Sequence, residues 1–433
     1  METKLGRIAD KSAHEARPIY TSLYHLINEE MLLTCHRELS GNKAVGVDEV
    51  TKEEYSRNLE ENIRSLVIRL KNKSYKPQPV KRVYIQKDNG KKRPLGIAAY
   101  EDKIVQLGLK KILEAVYEPK FQDNMYGFRP RRNCHMAIRD MCRKIISRRI
   151  DYIVDADIKG FFDHMSHEWT LKFVGYYIKD PNILSLINKF LKAGILEEGE
   201  YKASDEGSVQ GGNISPVLAN IYMHHVLMLW HDLYYRKRGR GESFLVVFAD
   251  DFITGFEYKS EAERYYRELK ERLAKFGLEM EMSKSRLLEF GRYAKERRRR
   301  RGEGKPETFN FLGFTFYCGE TSKGKYCVIP RTNSKRFSKR LKEMNKWLKE
   351  NRNQPLKVLM KKLNQKLMGH YRYYGVTYNV KMLIKYHYYV VNMLFKWLNR
   401  RSQKKSFTWE QFHMMLKDYP IAKPRGYVNL YYG

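Results

Sequence analysis

Two apolar runs, Phe244 to Phe248 and Phe252 to Phe256, flank Asp250 and Asp251 in the stretch FLVVFADDFITGF. Each run reads as a strand, so the pattern predicts a hairpin with the acidic pair on its connecting turn. A buried carboxylate without a partner costs several kcal/mol, on the order of what a domain has to spare. Something positive is therefore expected at that tip. In DYIVDADIKGFFDH the period of two puts Asp155 and Asp157 on one strand face with Ile153, and Asp157 stands where the strand ends at Lys159-Gly160. Carboxylates from two separate strands suit Mg²⁺, which keeps several waters and takes its remaining ligands from substrate phosphates. Aspartate is also common in turns, so A-D-D taken alone is equally compatible with a plain turn.

The chain as a whole has the opposite demand, for anions. Its 433 residues carry 83 Lys and Arg against 50 Asp and Glu, a formal net charge of +33. Such a charge repels itself unless a polyanion is present, which makes nucleic acid the leading partner and an anionic membrane surface the rival. No run of 18 or more apolar residues occurs, and METKLGRIADKSAHEARP lacks the apolar core of a signal peptide, so no membrane association and a cytoplasmic location are expected. The five cysteines show no C-x-x-C pairing with nearby histidines, which points to reduced, structural thiols.

With 42% hydrophobic residues the chain can build a core in two or three domains. Residues 1–150 read as basic and acidic helices followed by a basic β-hairpin, in which Val83 and Ile85 alternate with polar neighbours before Asp88-Asn89-Gly90. From 151 to 330 strand-like runs alternate with helical ones, predicting a mixed sheet backed by helices. From 331 to 433 Phe337, Leu341, Met344 and Leu348, then Leu356, Met360, Leu363 and Leu367, recur at helical spacing, with Pro355 at a helix start. The fold class is thus α/β (α+β). KERRRRRGEGK, residues 295–305, reads as a solvated loop.

Taken together, these motifs resemble the reverse transcriptases, and among them the group II intron reverse transcriptase/maturase family of bacteria. FADD is similar to the catalytic hairpin, DIKGFFDHMSH to the strand with the first metal-binding aspartate, and GSVQGGNISPVLANIY to the helix under the template and primer. FGLEMEMSKSRLLEFG and FNFLGFTF resemble the segments that follow, the second being the primer-grip hairpin. Upstream, NKAVGVDEVT, KRPLGI and EPKFQDNMYGFRPRRN resemble the fingers motifs, so the likeness runs in order from about 42 to about 330. LNQKLMGHYRYYGV and LFKWLNRRSQKKSFTWEQF resemble the maturase thumb, domain X.

The resemblance implies a right-hand polymerase: fingers in 1–150, palm in 151–330 and an all-α thumb in 331–433. It implies an RNA-directed DNA polymerase that binds its intron RNA, uses an RNA template with a DNA primer and dNTPs, acts on target DNA, and assists splicing and mobility. By the same likeness two Mg²⁺ ions, with Mn²⁺ as a substitute, are held by Asp157, Asp250, Asp251 and the carbonyl of Ile158, while Lys284 is the general acid toward pyrophosphate. Lys87, Arg93 and Gln210 fall at nucleotide-contacting positions, where Arg93 can fork onto two phosphate oxygens. Phe162 corresponds to the ring beneath the sugar that leaves no room for a 2′-hydroxyl, and Phe161 is assigned to the core. Gly211 and Gly212 allow close approach to the base pair, and Tyr371, Arg372 and Tyr373 are nucleic-acid-binding candidates in the thumb.

Some positions depart from the pattern. Phe248 stands where tyrosine is usual, Val247 where arginine often precedes it, and Val209 where proline is usual. The charged catalytic positions are all present, so activity is expected to be retained. The chain reaches Gly433 without a Cys/His-rich endonuclease segment, so second-strand cleavage is not expected of it. Competing readings are a reverse transcriptase of a defence, diversity-generating or CRISPR-linked system, and an RNA-folding splicing cofactor with a vestigial polymerase site. Nothing in the sequence sets the oligomeric state.

Overall fold

The computed structural model describes residues 2–86, 92–203, 206–208, 211–401 and 407–431, without the side chains of Glu2 and Gln86. Among these residues the strands are β1 (Val80–Gln86), β2 (Lys92–Ile97), β3 (Tyr152–Ala156), β4 (Ile195–Glu197), β5 (Glu200–Lys202), β6 (Ser243–Phe248), β7 (Asp251–Phe256), β8 (Arg286–Glu289), β9 (Phe309–Phe311), β10 (Phe314–Glu320) and β11 (Tyr326–Thr332). They form sheets ordered β2-β1-β4-β5, β6-β7-β3-β8 and β11-β10-β9. The first is mixed, since β1 pairs antiparallel with β2 and parallel with β4. Mixed and antiparallel sheets with many helices give the α/β class that the alternating runs predict.

The chain divides into two compact units. The first comprises Met1–Asn133, Ala156–Phe252 and Glu263–Arg286, and the second Cys134–Asp155, Ile253–Ala262 and Leu287–Gly433. In the first, β1 and β2 pair from Lys81 with Ile97 to Gln86 with Lys92, as the basic hairpin requires; its expected turn, 88–90, lies outside the described residues. Helix Tyr100–Tyr117 buries Ile104, Val105, Leu109, Ile112, Leu113 and Val116 completely. Helix Pro181–Leu191 begins where Asp180 accepts the N–H groups of Asn182 and Ile183 on one oxygen and those of Leu23 and Tyr24 on the other. One carboxylate thus caps a helix and ties down the N-terminal segment.

In the second unit β10 pairs with β11 along its length, from Phe314 opposite Thr332 to Glu320 opposite Tyr326. Helices Ser334–Asn351, Leu356–Tyr374 and Val380–Leu398 follow, burying Phe337, Met344 and Leu348, then Met360, Leu363 and Leu367, then Leu383, Val390 and Leu394. The helical stripes read from sequence are therefore core stripes, with Pro355 as the N-cap of the second helix.

The arginine run is not a solvated loop. Ala294–Arg300 is a helix, and its side chains are engaged: Arg297 pairs with Asp151 at 2.7 Å and Glu289 at 2.9 Å, Arg301 with Glu289 and Glu303, and Arg298 with Glu303 at 3.3 Å. Asp151, distant in sequence, and the nearer Glu289 and Glu303 turn a repulsive run into a paired one.

Candidate active site

The hairpin turn forms where the apolar runs predict it. β6 ends at Phe248, Ala249 takes a left-handed backbone with φ of +60°, and β7 begins at Asp251. Phe244 to Val247 and Phe252 to Phe256 are buried, whereas Asp250 is half-buried and Asp251 exposed. Two buried strands thus hold an acidic turn at the surface.

Asp157 follows the end of β3. Its carbonyl accepts the Glu281 N–H at 2.8 Å, Ile158 bridges Met280 antiparallel, and the Lys159 N–H reaches the Glu279 carbonyl at 2.9 Å. The Asp157 N–H donates to Ser285 Oγ at 3.1 Å. This pairing brings Lys284 across from Asp157, with Nζ 2.5 Å from Oδ2. The ammonium is held above the ordinary lysine value, first by this hydrogen bond and then, against some desolvation, by the charges of Asp157, Glu281 and Asp251. Asp157 thus pairs directly with Lys284, and Asp251 adds a weaker electrostatic pull on the same ammonium.

Among the described residues no three acidic, histidine or cysteine side chains are grouped closely enough to hold a metal ion. The donor chemistry nevertheless fits a hard divalent cation, since Asp157 past the end of β3 and Asp250 and Asp251 on the hairpin turn offer carboxylate oxygens from separate segments. Ile158 is buried, so only its backbone carbonyl is suited to join them.

The other candidates of the first unit form a connected stretch. Phe162 lies in a turn whose carbonyl accepts the Ser208 N–H at 2.7 Å. After Ser208, Gly211 has φ of +109° and passes so close to β2 that an added Cβ would stand 2.8 Å from the Gly96 carbonyl oxygen. Gly212 is buried, and the Asn213 N–H beyond it donates to Gln106 Oε1 at 2.8 Å. Arg93 is exposed on β2, opposite Ile85. Lys87 and Gln210 lie outside the described residues.

Phe162 is only 6% exposed, in edge contact with Phe161 (5.3 Å between ring centres) and Phe128 (6.4 Å). Phe128 is a residue that the sequence reading missed: it is 49% exposed and left-handed, with φ of +57°. An aromatic between Gly127 and Arg129-Pro130 was the available signal.

A family model described as "Reverse transcriptase (RNA-dependent DNA polymerase)" matches residues 85–316, more than half of the chain. The chain belongs to the reverse transcriptase family. A second model, "Group II intron, maturase-specific domain", matches residues 334–414. Among individual proteins, the chain is 39% identical over 224 residues to the group II intron-encoded protein LtrA of Lactococcus lactis subsp. cremoris, a match covering 51% of this chain and 37% of that protein. It is 36% identical over 203 residues to protein YkfC of Escherichia coli (strain K12), covering 46% of this chain and 53% of that one. A shorter match, 32% over 95 residues, reaches nuclear intron maturase 1, mitochondrial, of Arabidopsis thaliana, with 22% and 13% covered. The match therefore spans less than two thirds of the length of each of these relatives. Membership in the reverse transcriptase family implies dependence on a divalent metal ion.

In the segment matched by the maturase-specific domain, the aromatic candidates separate. Tyr371 is fully buried, its hydroxyl 2.9 Å from His387 Nδ1, so it is a core residue with no face to offer a base. Tyr373 is half-buried, donates to the Leu312 carbonyl at 2.9 Å and stacks on Phe314 at 6.0 Å. Arg372 is exposed. Exposed rings occur instead on the next helix, Val380–Leu398, where Tyr388 (63% exposed) and Tyr389 stand among the exposed Lys381 and Lys385. From residue 351 to 409 the sequence has thirteen Lys and Arg and no Asp or Glu. Among the described residues no helix is long and apolar enough to cross a membrane.

Proposed function

We propose that this chain is an RNA-directed DNA polymerase encoded by a group II intron, which copies an RNA template from a DNA primer and also binds its intron RNA to assist splicing and mobility at target DNA. The observation that carries the polymerase half is the Asp157–Lys284 pair just past the end of β3, in a member of the reverse transcriptase family whose buried hairpin presents Asp250 and Asp251 at its turn. The maturase half rests on the match of residues 334–414 and on the basic stretch from 351 to 409 within it, which has no Asp or Glu. In this reading residues 1–150 are fingers, 151–330 palm and 331–433 thumb, and the protein works in the cytoplasm.

Two Mg²⁺ ions, or Mn²⁺ in their place, would be held by Asp157, Asp250, Asp251 and the Ile158 carbonyl, and when bound would activate the primer 3′-hydroxyl and stabilise the leaving pyrophosphate. The chain's own groups do the rest. Arg93, with Lys87, clamps the triphosphate, since a guanidinium presents two parallel donors to phosphate oxygens. Phe162, backed by Phe161, sets a flat edge against the sugar and excludes a 2′-hydroxyl. Lys284 is protonated at neutral pH, as any lysine of ordinary value is, and Asp157 makes it a weaker acid still; once that carboxylate is engaged elsewhere, its ammonium becomes a better acid and can deliver its proton to pyrophosphate. Gln210, Gly211 and Gly212 border the nascent base pair, while Arg372 and Tyr373 lie in the RNA-binding thumb. The test is primer extension on an RNA template with dNTPs and Mg²⁺. No extension by the wild-type chain, under conditions where it binds RNA, would sink the polymerase reading.

A further inference from the structure

The acidic turn has a neighbour to which the mechanism above gives no task. Residues Asn124 to Tyr126 run along β6: the Tyr126 N–H donates to the Val247 carbonyl at 2.8 Å, and the Val247 N–H donates to the Asn124 carbonyl at 2.9 Å. The Asn124 side-chain amide adds a bond to the Leu245 carbonyl at 2.7 Å, and Met125 and Val247 form a parallel bridge. Gly127 then presses against the turn itself. A Cβ added there would stand 2.2 Å from the Ala249 nitrogen and 2.8 Å from the Phe248 carbonyl carbon. Both are backbone atoms that cannot rotate aside, so glycine alone fits unless the turn moves. Ala249 is left-handed, a conformation disfavoured for any residue with a Cβ and kept only where the surroundings hold it.

The segment that does the holding is itself tied down. Arg129 is buried, with Nε 2.9 Å from Glu118 Oε1 and Nη1 donating to the carbonyls of Gln122 at 2.7 Å and Met125 at 3.0 Å. Its guanidinium lies over the Phe121 ring, 5.4 Å from the centre. The Gly127 carbonyl accepts from the buried Asn220 amide at 2.9 Å. A buried cation with this many donors satisfied by one loop fixes that loop's shape.

We propose that residues 118–129 are a strap that positions the acidic turn, with Gly127 and Arg129 as positioning residues that determine where the Asp250 and Asp251 carboxylates stand. The proposal rests on the assignment of those aspartates to polymerisation. A displacement of the turn by about 1 Å is enough to lower the chemical step on the order of 100-fold.

The experiment compares full-length Gly127→Ala, Arg129→Lys, Gly127→Ala/Ala249→Gly and Asp250→Asn proteins. Single-nucleotide extension gives kcat and the dNTP KM, electron paramagnetic resonance of free Mn²⁺ gives the metal affinity without turnover, and melting and RNA binding report the fold. Gly127→Ala should lose about 100-fold in kcat and bind Mn²⁺ more weakly, with KM and RNA affinity near wild type and a lowered but cooperative melting transition. Ala249→Gly added to it should restore part of both losses, because a glycine there lets the turn shift without strain. Arg129→Lys keeps the charge but loses the fork, and should show the same pattern more mildly. Wild-type kcat and Mn²⁺ affinity in a folded Gly127→Ala protein overturn the strap. Where Gly127→Ala does not fold, an unchanged Arg129→Lys overturns it. An active Asp250→Asn protein instead removes the underlying site assignment, a failure separable from the first because there the strap variants need not be active for the reading to fall.

Discussion

Lys284 Nζ sits 2.5 Å from Asp157 Oδ2, although 127 residues separate them. The two meet because the segments Asp157–Lys159 and Glu279–Glu281 are hydrogen-bonded to each other, so the pair is a product of the fold and not of chain proximity. Lys284 is 61% exposed and Asp157 31%, and an ion pair so wet contributes little to stability, about 0–1 kcal/mol. Lys284→Gln should therefore melt close to wild type. Its nucleotide-addition rate should nonetheless fall by roughly 10²–10⁴, the usual range for a lost general acid. An unchanged rate in the variant would remove Lys284 from the mechanism.

Asp250→Asn should abolish primer extension in Mg²⁺ and in Mn²⁺, because the variant keeps the shape of the turn and loses the charge it presents. RNA affinity should stay within about twofold, since phosphate contacts spread over a large basic surface dominate it. Extension at near wild-type rate would refute the role of Asp250.

Much of this site was legible from residue order alone. The hairpin's strands, Asp157 past a strand end and the basic β1 and β2 all follow from patterns of apolar and polar residues over fewer than a dozen positions. What was not legible depended on long-range packing. The pairing of Arg297 with Asp151, 146 residues away, turned a predicted loop into a helix. Tyr371 was misread for a different reason: it continues the buried Leu363 and Leu367 stripe at a spacing of four, and its aromatic and basic neighbours drew attention from that periodicity. Gly127 against Ala249 has no sequence signature beyond a glycine beside an aromatic.

Phe162 is nearly buried, so Phe162→Ala should cost stability as well as change sugar choice. Loss of a buried phenylalanine typically costs about 3–5 kcal/mol. The ratio of ribonucleotide to deoxynucleotide incorporation should rise, whereas Phe128→Ala, which removes an exposed ring, should leave stability within about 1 kcal/mol. A folded Phe162→Ala protein with an unchanged ratio would make Phe162 a core residue only.

Acid should destabilise the chain through its buried histidines, although Asp102, raised to about 6 by burial, partly offsets the loss by taking up its proton in the folded state. Burial holds His224 down at about 3 and His225 at about 4, the latter stacked on Phe173 at 4.8 Å. In the unfolded chain both take up protons near pH 6.5. Stability is thus whole above 6.5 and falls as pH drops toward 4, by up to about 1.4 kcal/mol per pH unit for each histidine. Melting curves at pH 7, 6 and 5 should show the decline, and His225→Phe should flatten it. The same change in melting temperature from pH 7 to 5 in wild type and in His225→Phe would contradict the buried neutral state of His225.

Splicing assistance should be separable from polymerisation, because the helix that carries exposed Tyr388, Lys381 and Lys385 has no task in the metal chemistry. With no acidic residue between 351 and 409 to repel phosphate, this face suits a ligand that offers both charge and an unstacked base. Lys381→Gln/Lys385→Gln should weaken intron RNA binding and lower the slope of log affinity against log salt by about 2, one phosphate contact for each lysine. Tyr388→Ala should weaken binding by about 1–3 kcal/mol with the salt slope unchanged, since stacking releases no counterions. An Asp157→Ala/Asp250→Ala protein should accelerate splicing of its intron as well as wild type does, while the lysine and tyrosine variants should extend a primer normally and splice poorly. If the double aspartate protein folds and binds RNA but leaves splicing at the rate of the RNA alone, the two activities share one site and the separation is wrong.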